Sequence, residues 1–300
     1  MHEVVAALDV GGTRTKISYQ GRGILPHGRQ TVPTVRYPEA ADTVAAVIES
    51  VERAIATAPA DTKVVGIGLA VPGIVDEEHG IAISSGNLAW SEVPFAEMIQ
   101  EATGLRASIS NDLRAGARAE SASGAAAGCR SAMFVPIGTG IGAALVFDGS
   151  VWAGPHHRAG ELGHVVVETP GDPCTCGRSG CLETVASAGA LRRRYREATG
   201  EDVDAAEISR RVAAGDDTAR LVWNHAITAI ATAFDWADTL LDLDVIVVGG
   251  GVAMAGDLLF DPLTAEFHRL TGRDTPIRPA AHADWAGAVG AGIRAWERLG

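Results

Sequence analysis

Two carboxylates and three thiols stand out as the residues most able to do chemistry in this chain. In "SISNDLRAGARAE", Asn111 and Asp112 fall where a strand-like run gives way to a helical one. A carboxylate held there could accept a proton from a substrate hydroxyl as that oxygen attacks phosphorus. The simpler role for the same pair is a helix cap, because both side chains satisfy free N-terminal amides. In "DVGGTRT", Asp9 ends a strand and is followed by Gly11, Gly12, Thr13 and Arg14. Glycine lets backbone amides approach an anion that a Cβ would keep away. The turn could therefore cradle a phosphate while Asp9 holds water on a magnesium ion. "GTGIG", with Gly138, Thr139, Gly140 and Gly142, offers a second cradle, and Gly249, Gly250 and Gly251 a third close approach. Each turn alone reads as a tight hairpin. Together, with two of them Gly-Thr hairpins, they point to a nucleoside triphosphate. A Walker A loop is absent, and the dinucleotide fingerprint fails because Met254 stands where its last glycine belongs.

"GDPCTCGRSGCLE" holds Cys174, Cys176 and Cys181 in the spacing C-x-C-x₄-C. A disulfide, a redox pair, unlinked core thiols and a metal site are the alternatives. A bridge within C-x-C would be strained, and no C-x-x-C redox pair is present. Cys129 lies apart and reads as a small buried residue.

These residues need a scaffold. The chain has 300 residues, 47% hydrophobic and 21% charged, which suits a folded protein with one large core or two ordinary ones. A net charge of −12 argues against nucleic acid as a partner. The one basic run, Arg192 to Arg196, reads as the solvated face of a helix. No signal peptide or 18-residue apolar run is seen, so no membrane association is expected. Four cysteines in a chain of this size suit a reducing, cytoplasmic setting.

Strand-like runs include "VVAALDV", "KISYQ", "VVGIGLAV", "ASISN", "AMFVPIG", "AALVFDG", "HVVVE" and "VIVVGG". Between them, Val44, Val47, Ile48, Val51 and Ile55 form one apolar face of a helix. "DTARLVWNHAITAIATAFDWADTLLD" reads as a nearly all-apolar helix central to a core. The alternation predicts an α/β architecture. "LDVGGTRTKISY" and "VPIGTGIGAALVFDG" share one grammar of strand, Gly/Thr turn and strand, which predicts one hairpin used twice, in two related halves flanking a cleft. The expected domains are 1–112, completed by a C-terminal helix at about 286–300, and 113–285 carrying the cysteine loop.

Taken in order, "DVGGT", "VPGIVD", "NLAW", "ND", "GTGIGAAL", "GELGH", "CTCGRSGCLE" and "VIVVGGGV" resemble the ROK family of sugar kinases and sugar-responsive repressors, within the hexokinase/actin-like fold. The resemblance spans nearly the whole chain and is nearest to the ATP-dependent glucokinases. It implies two ribonuclease H-like halves, with glucose and ATP as substrates and magnesium accompanying the nucleotide. The alternatives are a kinase for N-acetylmannosamine, mannose or fructose, or a sugar-sensing regulator. Polyphosphate as donor fits less well, because the polyphosphate-using members lack the cysteine cluster. Asp9 stands too near the start of the chain for the helix-turn-helix that ROK repressors carry there.

With His164 of "GELGH" added, the three cysteines make a closed structural zinc set of three thiolates and one imidazole. The resemblance also implies that Asn111 and the catalytic Asp112 hold the sugar from one side, and Glu161, His164 and Glu183 from the other. Gly73 and Asn87 match further sugar-pocket positions. At Leu113 and Arg114 the chain departs from the small residues usual there, beside the expected cleft. Either Arg14 or Lys16 would reach the nucleotide, and a homodimer or homotetramer is implied.

Overall fold

The computed structural model describes every residue except 24, 25 and 87. Asn87, one of the expected sugar contacts, therefore lies outside the described residues. The chain divides into two compact units. The first comprises Met1–Ala119, Ala153–Arg158 and Asp284–Gly300, and the second Glu120–Trp152 and Ala159–Ala283. No helix among the described residues is long and apolar enough to cross a membrane.

In chain order the first stretch holds strands β1 (His2–Val10), β2 (Arg14–Gln20) and β3 (His27–Pro33), then helix α1 (Ala40–Ala56). Strands β4 (Thr62–Val71), β5 (Ile74–Asp76), β6 (Ile81–Ser84) and β7 (Ser91–Val93) lead to α2 (Phe95–Thr103), β8 (Ala107–Asn111) and α3 (Asp112–Ser123). The second stretch contains β9 (Ser131–Pro136), β10 (Ala144–Phe147) and β11 (Ser150–Trp152), followed by α4 (Leu182–Ala186), α5 (Ala188–Thr199), α6 (Ala205–Ala213) and α7 (Asp217–Leu241). It ends with β12 (Val245–Gly249), α8 (Asp257–Thr271) and β13 (Ile277–Pro279), after which α9 (Ala286–Leu299) belongs to the first unit.

The first unit is built on a sheet of order β3-β2-β1-β4-β8, in which β1–β2–β3 is an antiparallel meander and β4 and β8 add in parallel. A second small sheet joins β5, β6 and β7. Buried Val44, Val47 and Val51 of α1 meet Val4, Leu8, Ile17, Ile67, Leu69 and Ile109 of the sheet in one core. Ile48 and Ile55 are only partly buried, so the apolar stripe read from the sequence is wider than the face that is fully covered. Elsewhere in this unit Ala291 of α9 and Ala115 of α3 pack with Ala7 and Ala70. Side chains this small let helix and strand backbones approach closely, and so bring the start of α3 and the end of β1 within reach of each other.

The second unit repeats the plan. Its sheet runs β11-β10-β9-β12-β13, again an antiparallel meander followed by two parallel strands. The repeated hairpin expected from the sequence is present in both units. Helix α7 buries Trp223, Ile227, Ile230 and Phe234 in the unit's core, with Met133, Val135, Ile246 and Val248 of the sheet. It is not buried all round, however: Leu221 is 73% and Leu240 82% exposed.

The segment "HVVVE" is not a strand. Leu162–His164 is a 3-10 turn, and the valines that follow form only an isolated bridge, Val166 to Cys181. β-branched residues favour extended backbone, but here that backbone pairs with the returning cysteine loop rather than with the sheet. Val167 N–H donates to Gly180 O and Leu182 N–H to Val165 O.

Candidate active site and metal-ligand cluster

In the first unit, Asn111 ends β8 and Asp112 begins α3. Asn111 Oδ1 accepts the Arg114 N–H at 3.0 Å, the bond of an N-cap. Its Nδ2 donates to Gly73 O at 2.9 Å and to Asp112 Oδ1 at 3.0 Å. Asp112 Oδ1 also accepts the Leu113 N–H at 2.9 Å. The cap and the chemical reading of this pair are thus both realised, since the side chain that caps α3 also orients the acid. Gly73 has φ +102°, and a Cβ there would lie 2.1 Å from Ser84 O, so its identity is dictated by backbone.

Asp112 is half-buried by surface, yet crowded by protein atoms. Desolvation pushes its carboxyl up to about 7, with the neighbouring Asp9 adding to the rise, while backbone N–H donors and Arg114 oppose it. Asp9 is itself raised to about 6 by burial, with Lys16 opposing and Asp284 adding. An acid that titrates near neutrality is suited to take a proton and give it up.

The first Gly turn is closed by Gly11 N–H donating to Arg14 O at 3.0 Å. Thr13 and Arg14 are exposed, whereas Lys16 donates to the Asp284 carbonyl. Arg14 is therefore the freer of the two cations. Arg114, expected beside a cleft, is buried at 3% exposure and engaged with Glu77 and the Val75 carbonyl. Of the two adjacent histidines in the loop after β11, His156 is exposed, while His157 Nε2 stands 3.9 Å from the Asp76 carboxylate.

In the second unit, the turns at 138–142 and 249–251 come together. Ile137 N–H donates to Gly249 O and Val252 N–H to Ile137 O, at 2.9 and 3.0 Å. Gly250, at φ +81°, sits where a Cβ would fall 2.5 Å from the Ile137 carbonyl oxygen. Thr139 at the tip is exposed. Glu183 Oε2 accepts the Ile141 N–H at 2.9 Å, so one of its oxygens is committed to this turn. A pocket of about 190 Å³ lies here, lined among others by Thr139, Cys174, Thr175, Glu183, Ser187 and Arg193.

His164, Cys174, Cys176 and Cys181 present ligand atoms that all lie within 4.8 Å of one another. All four cysteines of the chain are free thiols, Cys129 half-buried rather than buried. Cys176 Sγ and Cys181 Sγ are 3.6 Å apart, and Cys174 Sγ is 3.5 Å from His164 Nδ1. Two thiolates at ~2.3 Å from a tetrahedral ion would be roughly 3.8 Å apart, so the donors and their spacing fit zinc. Arg178 holds the Cys176 thiol down to about 6, favouring thiolate, whereas burial pushes Cys181 up to about 12. The other imidazole nitrogen, Nε2, lies 3.9 Å from the exposed Glu161 carboxylate.

Two features were not read from the sequence. The arginine run is not simply solvated. Arg193 and Arg194 hold Asp172 at 2.9 and 2.7 Å, Arg194 holds Glu168 at 2.6 Å, and Arg193 donates to Thr184 O. These bonds brace the cysteine loop against α5. The second feature is Glu77, which meets Arg114, Arg118 and the Asn111 amide. Nothing local marks it, because its partners lie more than 30 positions along the chain.

Residues 5–297 match the ROK family, to which the chain belongs. It is 28% identical over 305 residues, 95% of this chain and 92% of the relative, to the glucokinase of Halalkalibacterium halodurans. Its structure superposes on the ROK hexokinase of Thermus thermophilus with a TM-score of 0.83, at 32% identity over 99% of both chains. It superposes on the ROK family glucokinase of Streptomyces griseus, solved with glucose and AMPPNP, with a TM-score of 0.85 at 25% identity, over 99% of this chain and 100% of that one. The α/β fold expected from the sequence is the fold of these kinases.

Proposed function

We propose that this protein is an ATP-dependent sugar kinase that transfers the γ-phosphoryl group to the 6-hydroxyl of a hexose, with glucose as the preferred acceptor. The observation that carries the reading is Asp112, an oriented carboxylate at a strand-helix junction that titrates near neutrality. As the 6-oxygen attacks the γ-phosphorus, its proton passes to Asp112, the new O–P bond forms, and the bond to the β–γ bridging oxygen breaks to release ADP. Asn111 orients the base, and with Glu161, His164, Glu183 and Gly73 it recognises the sugar hydroxyls. The amides at Gly11, Gly12, Gly138, Gly140 and Gly142, the hydroxyls of Thr13 and Thr139, and Arg14 hold the triphosphate, while Gly249, Gly250 and Gly251 admit the nucleotide. Asp9 would help hold magnesium, which supplies charge neutralisation on the phosphates when bound.

His164, Cys174, Cys176 and Cys181 would hold a structural zinc ion, through Nδ1 of the histidine. That leaves Nε2–H as a donor toward Glu161 or a sugar oxygen. The relatives' activities and the glucose complex of the Streptomyces enzyme support a hexose acceptor. We further propose a cytoplasmic homodimer or homotetramer. Function is tested by coupled ADP release over a panel of glucose, mannose, fructose and N-acetylmannosamine, with ATP or polyphosphate as donor. ATP with glucose is expected to give the highest kcat/KM. Absence of sugar-dependent ADP release from every pair would refute a kinase.

A further inference from the structure

Glu77 follows β5 and has no direct place in the chemistry described above, yet three groups behind Asp112 converge on it. Its Oε1 accepts the Asn111 backbone N–H at 3.2 Å and lies 2.7 Å from Arg114 Nε. Its Oε2 lies 3.3 Å from Arg118 Nη2. Arg114 is buried and also donates from Nη2 to Val75 O at 2.6 Å. Arg118 reaches on to Glu297 of α9 at 3.6 Å, and Glu297 to Arg294 at 3.2 Å. Glu77 thus ties the last backbone amide of β8 to the first two turns of α3 from behind the acid.

The charge is as telling as the geometry. A guanidinium enclosed two residues from Asp112 is costly without a counter-ion, and it would compensate the Asp112 carboxylate at once. Glu77 neutralises it. We propose that Glu77 is a positioning residue for the base: it fixes the β8–α3 junction through the Asn111 amide and balances Arg114, so that Asp112 keeps its orientation and is not charge-compensated by the arginine beneath it. This rests on the reading of Asp112 as general base.

The groups acting on Asp112 within its unit can be named. Asp9 of β1 raises its affinity for a proton and Arg114 of α3 lowers it, while Lys16 of β2 and Asp284 act on Asp9. Glu77, Arg118 and Glu297 set how strongly Arg114 is felt. Removing Glu77's charge leaves Arg114 unopposed, so the carboxylate form of Asp112 is favoured and the acid limb of the rate profile moves to lower pH. Removing Arg114's charge moves it the other way.

The test compares Glu77→Gln, Arg114→Met and the double variant with the full-length wild-type protein. The readouts are kcat, KM for glucose and for ATP, the midpoint of the acid limb of kcat/KM, and thermal melting. Glu77→Gln is expected to lower kcat on the order of tenfold, as a displaced reacting group does, with KM for ATP within about twofold of wild type and the midpoint shifted to lower pH. Arg114→Met is expected to shift the midpoint to higher pH. The double variant, neutral at both positions, is expected to return it toward the wild-type value. If Glu77→Gln does not fold, Arg114→Met and the double variant still report the opposed shift and its cancellation. A folded Glu77→Gln with wild-type kcat and midpoint would overturn the proposal. So would single variants that shift the midpoint in the same direction, the mark of general loosening. The base reading fails separately, if Asp112→Asn retains activity within tenfold of wild type.

Discussion

The two units share a sheet order, yet they carry opposite kinds of chemistry. In the first, the turn between β1 and β2 is preceded by Asp9, and the fifth strand of the sheet runs into Asp112, so that two acids are desolvated near each other. In the second, the equivalent turn, between β9 and β10, is preceded by Val135 and Pro136, and the unit's chemistry lies in an inserted loop of thiols, imidazole and Glu183. The lesson is that a repeated scaffold leaves function to a few side chains at strand ends. One unit needs a charge tuned by burial; the other needs a loop pinned in place.

Several substitutions would sharpen or break that contrast. The largest effect belongs to the first unit. Asp112→Asn is expected to lower kcat about 10²–10⁴-fold, the range for loss of a positioned base, in steady-state ADP release. In the second unit, Cys176→Ala or removal of the proposed zinc ion by a chelator is expected to raise KM for glucose roughly tenfold or more, in step with metal content by atomic absorption. Loss of zinc with an unchanged glucose KM in folded protein would separate the metal from sugar binding.

Stability should also divide the units by pH. Asp9 and Asp112 bind protons more tightly folded than unfolded, since both are raised from 3.8. Their protonated forms stabilise the fold at low pH, and that contribution is lost as pH rises through about 6 and 7. Asp112→Asn should therefore raise stability at pH 8 on the order of 1–3 kcal/mol, given about 1.4 kcal/mol per pKa unit and partial screening. The gain should disappear toward pH 4 in denaturant titrations. The smallest effect is expected at the start of α5. There Ser187 caps the helix by accepting the Ala190 N–H at 3.1 Å, and Ser187→Ala should cost about 1 kcal/mol.

What could be read in advance follows the range of the interactions. The Gly turns, the Asn111–Asp112 junction and the cysteine spacing are local, so a few adjacent residues carry them. The hairpin repeat is local too, and it led to the expectation of two related halves, while the alternation of strands and helices led to the α/β fold. Glu77 was not legible, because its role depends on Arg114 and Arg118, from which β6, β7, α2 and β8 separate it along the chain. The valines after His164 were misread as a strand because propensity reports extended backbone, not its partner. The arginine run was read as solvated because Glu168 and Asp172 reach it only when the cysteine loop folds back.

The central claim is that Asp112 acts as a base tuned to neutrality by its surroundings. Its most direct test is kcat/KM for glucose measured from pH 5 to 9 at saturating ATP. The account predicts a tenfold rise per pH unit below about 7 and a plateau above it. A rate independent of pH between 5 and 8 would contradict it.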